Sequence, residues 1–363
     1  MALKFYLLKI KNLTRETHDT VSISFEVPND LKSTFAYKQG QYLTLKVPVN
    51  GVENRRAYSI CSSPISDTDL TIAVKKVDDG VVSRYLNDSL KVGDYLEIMP
   101  PMGNFVVDVS EDSQRHYVMI GAGSGITPLI SMIKTILHVE SKSQVTLIYQ
   151  NRSTDTIIFQ NELEKLAVKY SNRLVIVHIL SRPESDWTGL SGRLNAEKIK
   201  RLINNIEIKN IFSAQFYLCG PQGMMHEAET ALKELNVATH QIHKESFTAP
   251  LPKIVDESEH NILLKQEEEL TTRTVKLRLY GENYVYEVEP DETVLTAAMR
   301  EGYDPPFSCQ IGACSTCRAK LVSGKVLMDE RDSLTDDEIE EGFILTCQSH
   351  PLTDDVLIDY DQN

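Results

Sequence analysis

The sequence predicts a multidomain chain: an antiparallel β-barrel, a doubly wound parallel α/β domain and a small α+β domain. Three observations predict it. From Tyr6 to about Val109, apolar residues alternate with polar ones in short runs broken by turn residues, the pattern of half-buried antiparallel strands in a barrel or a sandwich. After Asp108, short and continuously apolar strands alternate with helical stretches, as in a parallel sheet covered on both faces. Near the end, a hairpin and a helix lead into three cysteines within nine residues, Cys309, Cys314 and Cys317, with Cys347 following.

The elements follow in order. In the first region, 1–108, Val21, Ile23, Phe25 and Val27 share one strand face, and 41–47 and 70–75 repeat the alternation. The second region, 109–247, opens with the buried strand Tyr117–Ile120, the glycine-rich turn Gly121–Pro128 and a helix over Leu129–His138. Strands at Val145–Tyr149, Leu174–Leu180 and Gln215–Cys219 then alternate with helices at Phe159–Tyr170, Ala196–Asn204 and Met224–Leu235. Residues 248–272 carry Pro250, Pro252 and the run Gln266-Glu267-Glu268-Glu269 without periodicity, which reads as a linker or as a solvated extension packed in one place. In 273–363, strands Val275–Tyr280 and Tyr284–Val288 form a hairpin around Gly281-Glu282-Asn283, and the helix Thr293–Glu301 enters the cysteine loop.

A length of 363 residues suits two or three domains, each able to bury a core. No apolar run reaches the roughly 18 residues of a membrane helix. The start, Met1 to Ile10, has lysines inside its apolar stretch and no small-residue cleavage site, so a signal peptide is not expected. The net charge of −14 argues against nucleic-acid binding, and it suits attraction of a basic protein partner. The acidic stretch from Asp329-Glu330-Arg331-Asp332 to Glu338-Ile339-Glu340-Glu341 is either such a docking surface or a solvated helix face.

Spacing of C-x4-C-x2-C with a fourth cysteine thirty residues on is the plant-type [2Fe–2S] pattern. Soft thiolates suit the cluster, and a crowded loop can turn its N–H groups toward sulfur. Gly312 lies where the chain must turn tightly. A four-cysteine zinc site usually takes two C-x2-C pairs, and only one is present. A disulfide framework is out of keeping with six cysteines in so long a chain. The expected ligands are Cys309, Cys314, Cys317 and Cys347, and free thiols with a labile cluster point to the cytoplasm.

Two further groups of residues carry chemistry. Arg56-Ala57-Tyr58-Ser59 closes a strand and is followed by Val74-Lys75, Gly80-Val81-Val82-Ser83 and Pro101-Met102-Gly103-Asn104-Phe105; a guanidinium fork and free helix N-terminal N–H groups suit a phosphate. Gly121-Ala122-Gly123-Ser124-Gly125-Ile126-Thr127-Pro128 follows a buried strand and opens a helix, and Cys219-Gly220-Pro221 ends a later strand. The third glycine comes too soon for G-x-G-x-x-G. Together these segments resemble the ferredoxin–NADP reductase superfamily, with a β-grasp ferredoxin domain of the plant type at the C-terminus.

That resemblance implies specific roles. FAD would lie on the barrel, with Arg56 at its pyrophosphate, Tyr58 packed on the isoalloxazine, Ser59 near the reactive N5, and Ala57, Val74 and Lys75 in the same site. Gly80, Val81, Val82 and Ser83 would cradle the pyrophosphate. Gly121, Gly123, Gly125, Thr127 and Pro128 would bind the nicotinamide nucleotide, and Cys219, with Gly220 and Pro221, would sit beside the nicotinamide ring. Ser59, Cys219 and Glu245 would shape hydride transfer, with Phe247 as an aromatic near the flavin. Arg152-Ser153 and Ser181-Arg182 follow two strands that carry no acid at their ends, so NADPH is favoured and NADH is the alternative. Ser315 stands where many bacterial relatives have Gly.

The domain order is similar to that of the reductase subunits of bacterial multicomponent oxygenases. It implies an oxidoreductase passing electrons from NADPH through FAD and [2Fe–2S] to a di-iron or Rieske oxygenase component. The rival is a redox-sensing regulatory protein, for which no DNA-binding helix pair or sensory domain is appended. His240 and His243 are expected to be exposed strand histidines rather than metal ligands, and Cys61 a packed side chain.

Overall fold

The structure, a computed structural model, describes residues 4–206, 208, 211–247, 270–331 and 333–362. The expected linker at 248–272 lies outside them but for its last three residues. The chain divides into two compact units, one running from Phe5 to Phe247 and the other formed by the C-terminal region.

The first unit begins with β1 (Tyr6–Thr17), β2 (Thr20–Glu26), β3 (Tyr42–Val49), β4 (Val52–Ser59), β5 (Leu70–Lys75), α1 (Val81–Asp88) and β6 (Tyr95–Ile98). The strands pair antiparallel in the order β4-β3-β6-β1-β2-β5, and a bridge between Ile60 and Ile72 joins the two ends. Alternation turns Leu8, Ile10, Ile23, Leu43, Leu45 and Ile72 into one buried interior. Closing the sheet on itself leaves no open edge.

A parallel sheet follows: β7 (His116–Ala122), α2 (Ile126–Val139), β8 (Gln144–Asn151), α3 (Gln160–Lys169), β9 (Leu174–Leu180), β10 (Leu190–Ser191), α4 (Ala196–Asn205), β11 (Gln215–Gly220), α5 (Gln222–Glu234) and β12 (Ile242–Ser246). Its order is β10-β9-β8-β7-β11-β12. Residues of α2 and α3 pack on one face and those of α4 and α5 on the other. Helix α2 starts at Ile126, three residues before the expected Leu129, because Pro128 falls in its first turn, where a missing N–H costs nothing.

Helix α2 also seats the sheet against the barrel. Ser131 Oγ donates to the Ser62 carbonyl (2.6 Å), and the Thr135 and Ser63 hydroxyls meet at 2.8 Å. Lys134, only 8% exposed, pairs with Asp67 of the barrel (2.6 Å) and Glu162 of α3 (3.0 Å). Cys61 and Ala73 of the barrel belong to the same core as α2. Cys61 is buried, as expected, and its thiol donates to the Thr71 carbonyl at 3.4 Å.

The C-terminal unit contains β13 (Arg273–Leu279), β14 (Glu282–Val288), α6 (Val294–Arg300), β15 (Arg318–Ser323), β16 (Val326–Met328), α7 (Asp336–Glu340), β17 (Phe343–Leu345), β18 (Ser349–Pro351) and β19 (Leu357–Asp359). Its mixed sheet runs β14-β13-β19-β15-β17, with β13 and β19 parallel. The first hairpin turns on Tyr280-Gly281 alone, with φ of 56° and 81°, while Glu282 and Asn283 already pair with Leu279 and Arg278. The longer turn expected at Gly281-Glu282-Asn283 is thereby corrected. The two-residue turn needs positive φ at both positions, which a tyrosine seldom adopts. Here the carboxylate of Asp361 accepts from Tyr280 N (2.9 Å) and Gly281 N (2.8 Å) and holds it.

Candidate functional site

In the first unit the strand order reverses between β7 and β11, and an open α/β sheet binds ligands beyond the carboxyl ends of such strands. At that place Gly121 pairs with Cys219, and Cys219 with Glu245 of β12. Gly125 backs so closely onto β11 that a Cβ would stand 2.0 Å from the Cys219 carbonyl oxygen. At Gly220 a Cβ would stand 3.1 Å from Ala122 N. Gly123 has open space beside it but takes φ of +54°, so its glycine answers to backbone conformation rather than crowding. Thr127 Oγ1 donates to the Ser124 carbonyl (2.9 Å), Pro128 is buried in the first turn of α2, and Pro221 precedes α5. Neither α1 nor α2 has a side chain capping its start, although the first N–H of α2, that of Ile126, is taken up by the Gly123 carbonyl.

The barrel delivers β4 to the same junction. Ser59 Oγ donates to Glu245 Oε2 at 3.2 Å. Burial pushes the Glu245 carboxyl up to about 8, with the Ser59 bond opposing. Cys219 is fully buried, and burial followed by Glu245 pushes its thiol well up. At neutral pH the trio is therefore uncharged. Ser59, Cys219 and Glu245, predicted from three separate stretches, are brought together.

The remaining predicted positions differ in what they present. Arg56 is exposed, and among the described residues its guanidinium bonds only the Arg55 carbonyl (2.7 Å). Ala57 and Tyr58 are half-buried, and burial pushes the Tyr58 hydroxyl up against the opposing effect of Arg56. Gly80 precedes α1, Val81 is exposed, Val82 is buried, and Ser83 Oγ accepts from Val77 N (3.1 Å). Val74 faces the barrel interior, and its carbonyl accepts from Asn87 Nδ2 (3.0 Å). Lys75 pairs with Asp19 at 3.5 Å. Phe247 is exposed.

Arg152 and Arg182 are both exposed and adjacent, since Arg182 N donates to the Arg152 carbonyl (2.7 Å) and Ser181 N to the Asn151 carbonyl (2.9 Å). Ser153 closes the following turn through its N–H to Thr156 Oγ1 (3.1 Å). Two neighbours carried no signal in the sequence. Asn151 is buried, with its carboxamide beside the Tyr149 hydroxyl. Tyr149, a strand residue that reads as core, donates its hydroxyl to the Gly123 carbonyl (3.0 Å). The expectation of two exposed strand histidines is corrected. His240 lies in a short turn, and His243 is half-buried, stacked on Tyr217 at 4.5 Å and bonded to Gln215 Oε1 at 3.0 Å.

The second site lies within the C-terminal unit. Cys314, Cys317 and Cys347 are buried and Cys309 is half-buried. The thiols form two pairs: hydrogen bonding from Cys314 pulls the Cys309 thiol down, and from Cys317 the Cys347 thiol, with burial opposing both. Backbone N–H groups of Ile311, Ala313 and Cys314 point at the Cys309 sulfur and that of Gly312 at Cys347. Gly312 takes φ of +72°, and a Cβ there would meet Glu330 Cγ at 2.8 Å. The Ser308 hydroxyl is buried without a partner among the described residues. No group of three or more His, Cys, Asp or Glu side chains among those residues is placed to hold a single metal ion. Three thiols of one loop and that of Cys347, with a backbone N–H turned toward the Cys309 sulfur, fit the donor set of a [2Fe–2S] cluster.

The acidic stretch divides. Glu338 turns inward to pair with Arg318, Glu330 is buried, and Asp329 meets His350 at 3.1 Å. Asp336, Asp337, Glu340 and Glu341 remain exposed. Asp332 lies outside the described residues.

Comparison with known proteins agrees with this anatomy. Three family profiles match in order: an oxidoreductase FAD-binding domain over residues 7–107, an oxidoreductase NAD-binding domain over 119–230 and a 2Fe-2S iron-sulfur cluster binding domain over 277–352. The chain is 37% identical to one of the subunits of 1,2-phenylacetyl-CoA epoxidase of Escherichia coli (strain K12), covering 98% of each chain. It is 33% identical to the ferredoxin reductase component of 3-ketosteroid-9-alpha-monooxygenase of Rhodococcus rhodochrous, over 98% of this chain and 96% of that one. The structure of phthalate dioxygenase reductase superposes with a TM-score of 0.60 over 98% of both chains at 24% identity, a likeness of fold. Among the described residues no helix is long and apolar enough to cross a membrane.

Proposed function

We propose, because the chain belongs to the family of oxygenase reductase components built from FAD-, NAD- and 2Fe-2S-binding domains, that it carries electrons from NADPH to the oxygenase component of a multicomponent system. The observation that carries this reading is the meeting of Ser59 from the barrel with Cys219 and Glu245 at the reversal point of the sheet. Bound FAD supplies the exchange between a two-electron hydride donor and a one-electron carrier, and the [2Fe–2S] cluster is that carrier.

The protein's own groups bind, orient and hold protons. Arg56, which meets no carboxylate among the described residues, suits the flavin pyrophosphate beside the open start of α1. The Gly121–Gly125 turn lets the nucleotide backbone come close to the sheet. Ser59 and protonated Glu245 would offer hydrogen bonds without net charge, so that a nicotinamide and a flavin held there would have no fixed ion beside them. Buried Cys219 closes the floor against water. Arg152 and Arg182, side by side at the ends of β8 and β9, suit the 2′-phosphate of NADPH. Cys309, Cys314, Cys317 and Cys347 would hold the cluster.

The domain boundaries follow at 1–108, 109–247, 248–272 for the linker and 273–363. The acceptor is an oxygenase component, di-iron or Rieske, and phenylacetyl-CoA epoxidase is the first candidate in view of the 37% identity to one of its subunits. The reducing chemistry suits the cytoplasm. Asp336, Asp337, Glu340 and Glu341 suit a basic docking partner, and electron transfer to it should slow as salt is raised.

Anaerobic visible absorption during titration with NADPH, and separately with NADH, tests the reading. Flavin bands and a broad iron–sulfur shoulder that bleach at lower NADPH than NADH are expected. Bleaching at lower NADH would reverse the nucleotide assignment, and absence of flavin would overturn the account of the barrel.

A further inference from the structure

Tyr149 stands on β8 directly beside Gly121 of β7. A glycine neighbour leaves room for a large ring on that face. The ring is fully buried, 6.0 Å from that of His178, and its hydroxyl reaches two residues past Gly121 to the Gly123 carbonyl, at 3.0 Å. Gly123 is the residue at φ of +54°, with nothing within 4 Å of where a Cβ would be. The residue has no side chain of its own to anchor its peptide plane. The carbonyl is held instead by two donors, the Tyr149 hydroxyl and Ile126 N. Fixing that carbonyl fixes the direction of the Ser124 N–H on the other side of the same peptide plane. The next carbonyl, of Ser124, is held in the same way by Thr127 Oγ1 at 2.9 Å. A turn of three residues, Gly123–Gly125, with little side-chain bulk of its own is thus set by hydroxyls from β8 and α2.

We infer that Tyr149 is a positioning residue for dinucleotide binding: its hydroxyl pre-sets the Gly123-Ser124 peptide so that the turn presents its N–H groups to a pyrophosphate. The inference rests on the reading of Gly121–Gly125 as the nucleotide-binding turn. A neutral hydrogen bond of this kind is worth about 1 kcal/mol, which corresponds to roughly fivefold in affinity.

The test is Tyr149→Phe in the full-length, cofactor-loaded protein, which keeps the ring and removes the hydroxyl. Dissociation constants for NADP⁺ and for adenosine 2′-monophosphate, which lacks a pyrophosphate, are measured by flavin difference absorption and calorimetry. Expected is a loss of about fivefold for NADP⁺, no change for the monophosphate, a raised KM for NADPH and an unaltered rate of flavin reduction at saturation. Equal losses for both ligands would make Tyr149 a merely structural residue, and unchanged NADP⁺ affinity would also overturn the inference. Failure of the unsubstituted protein to bind NADP⁺ or NAD⁺ at all would instead refute the reading of the turn.

Discussion

Glu245 carries a pH dependence of definite sign. Its carboxyl titrates at about 8 in the native protein, against an ordinary value near 4.3 when unfolded. Between those values the native state holds a proton that the unfolded chain has released. Its contribution to stability is fully present below the unfolded value and is lost as pH rises through 8. Urea unfolding of wild type and Glu245→Gln should converge below about pH 4 and separate progressively from there to about pH 8, where the difference levels off, with the variant the more stable. A pH-independent difference would mean that the carboxyl is ionised in the native state. Lys134 sets a second expectation. Its removal in Lys134→Met strands Asp67 and Glu162 at the seam between barrel and sheet, and unfolding of that unit should cost about 2–4 kcal/mol less. At this scale the sequence was legible in singling out Ser59, Cys219 and Glu245, three strand-end residues that meet in the fold. It was silent on Lys134 and Tyr149, because a helix lysine reads as solvated and a strand tyrosine as core until the neighbouring element is in place.

Among elements, the glycine turn between β7 and α2 was legible because close approach at Gly125 and a positive φ at Gly123 both favour glycine, while the start of α2 was not, because a proline reads as a break even where the first turn accepts it. Gly125→Ala should force the turn from β11 by more than an ångström, given the 2.0 Å approach to the Cys219 carbonyl. Displacements of that order cost up to about 100-fold in rate. KM for NADPH should rise at least about tenfold while flavin absorbance is retained; unchanged nucleotide affinity would show that the turn has slack. The hairpin of β13 and β14 was predicted, but its turn was misplaced. The carboxylate that stabilises the turn comes from Asp361, eighty-one residues away from Tyr280 in sequence. Local pattern cannot report a support so distant.

At the scale of the molecule, two compact units divide the chemistry, with the barrel and parallel sheet in one and the four thiols in the other. Cys317→Ala should therefore abolish the iron–sulfur shoulder and electron delivery to cytochrome c, yet leave bleaching of the flavin bands by NADPH within about twofold of wild type, because the substitution falls in the other unit's core. Loss of flavin reduction as well would show that the two units are energetically one. The domain order was legible because the periodicity changes at each boundary and each chemistry has its own motif. Closure of the barrel through Ile60 and Ile72 was not, since two residues make no pattern.

The order of strands in the C-terminal sheet also bears on how the protein is made. Its middle strand, β19, is the last strand of that sheet to leave the ribosome, and it alone joins the β13–β14 hairpin to β15. Until Leu357–Asp359 have emerged, that sheet exists as two separate halves, although all four cysteines have already been synthesised. The unit ending at Phe247 has by then been complete for more than a hundred residues of translation. Assembly is thus ordered in time: the flavin site can form on the nascent chain, and the iron–sulfur site waits for the strand that closes its sheet.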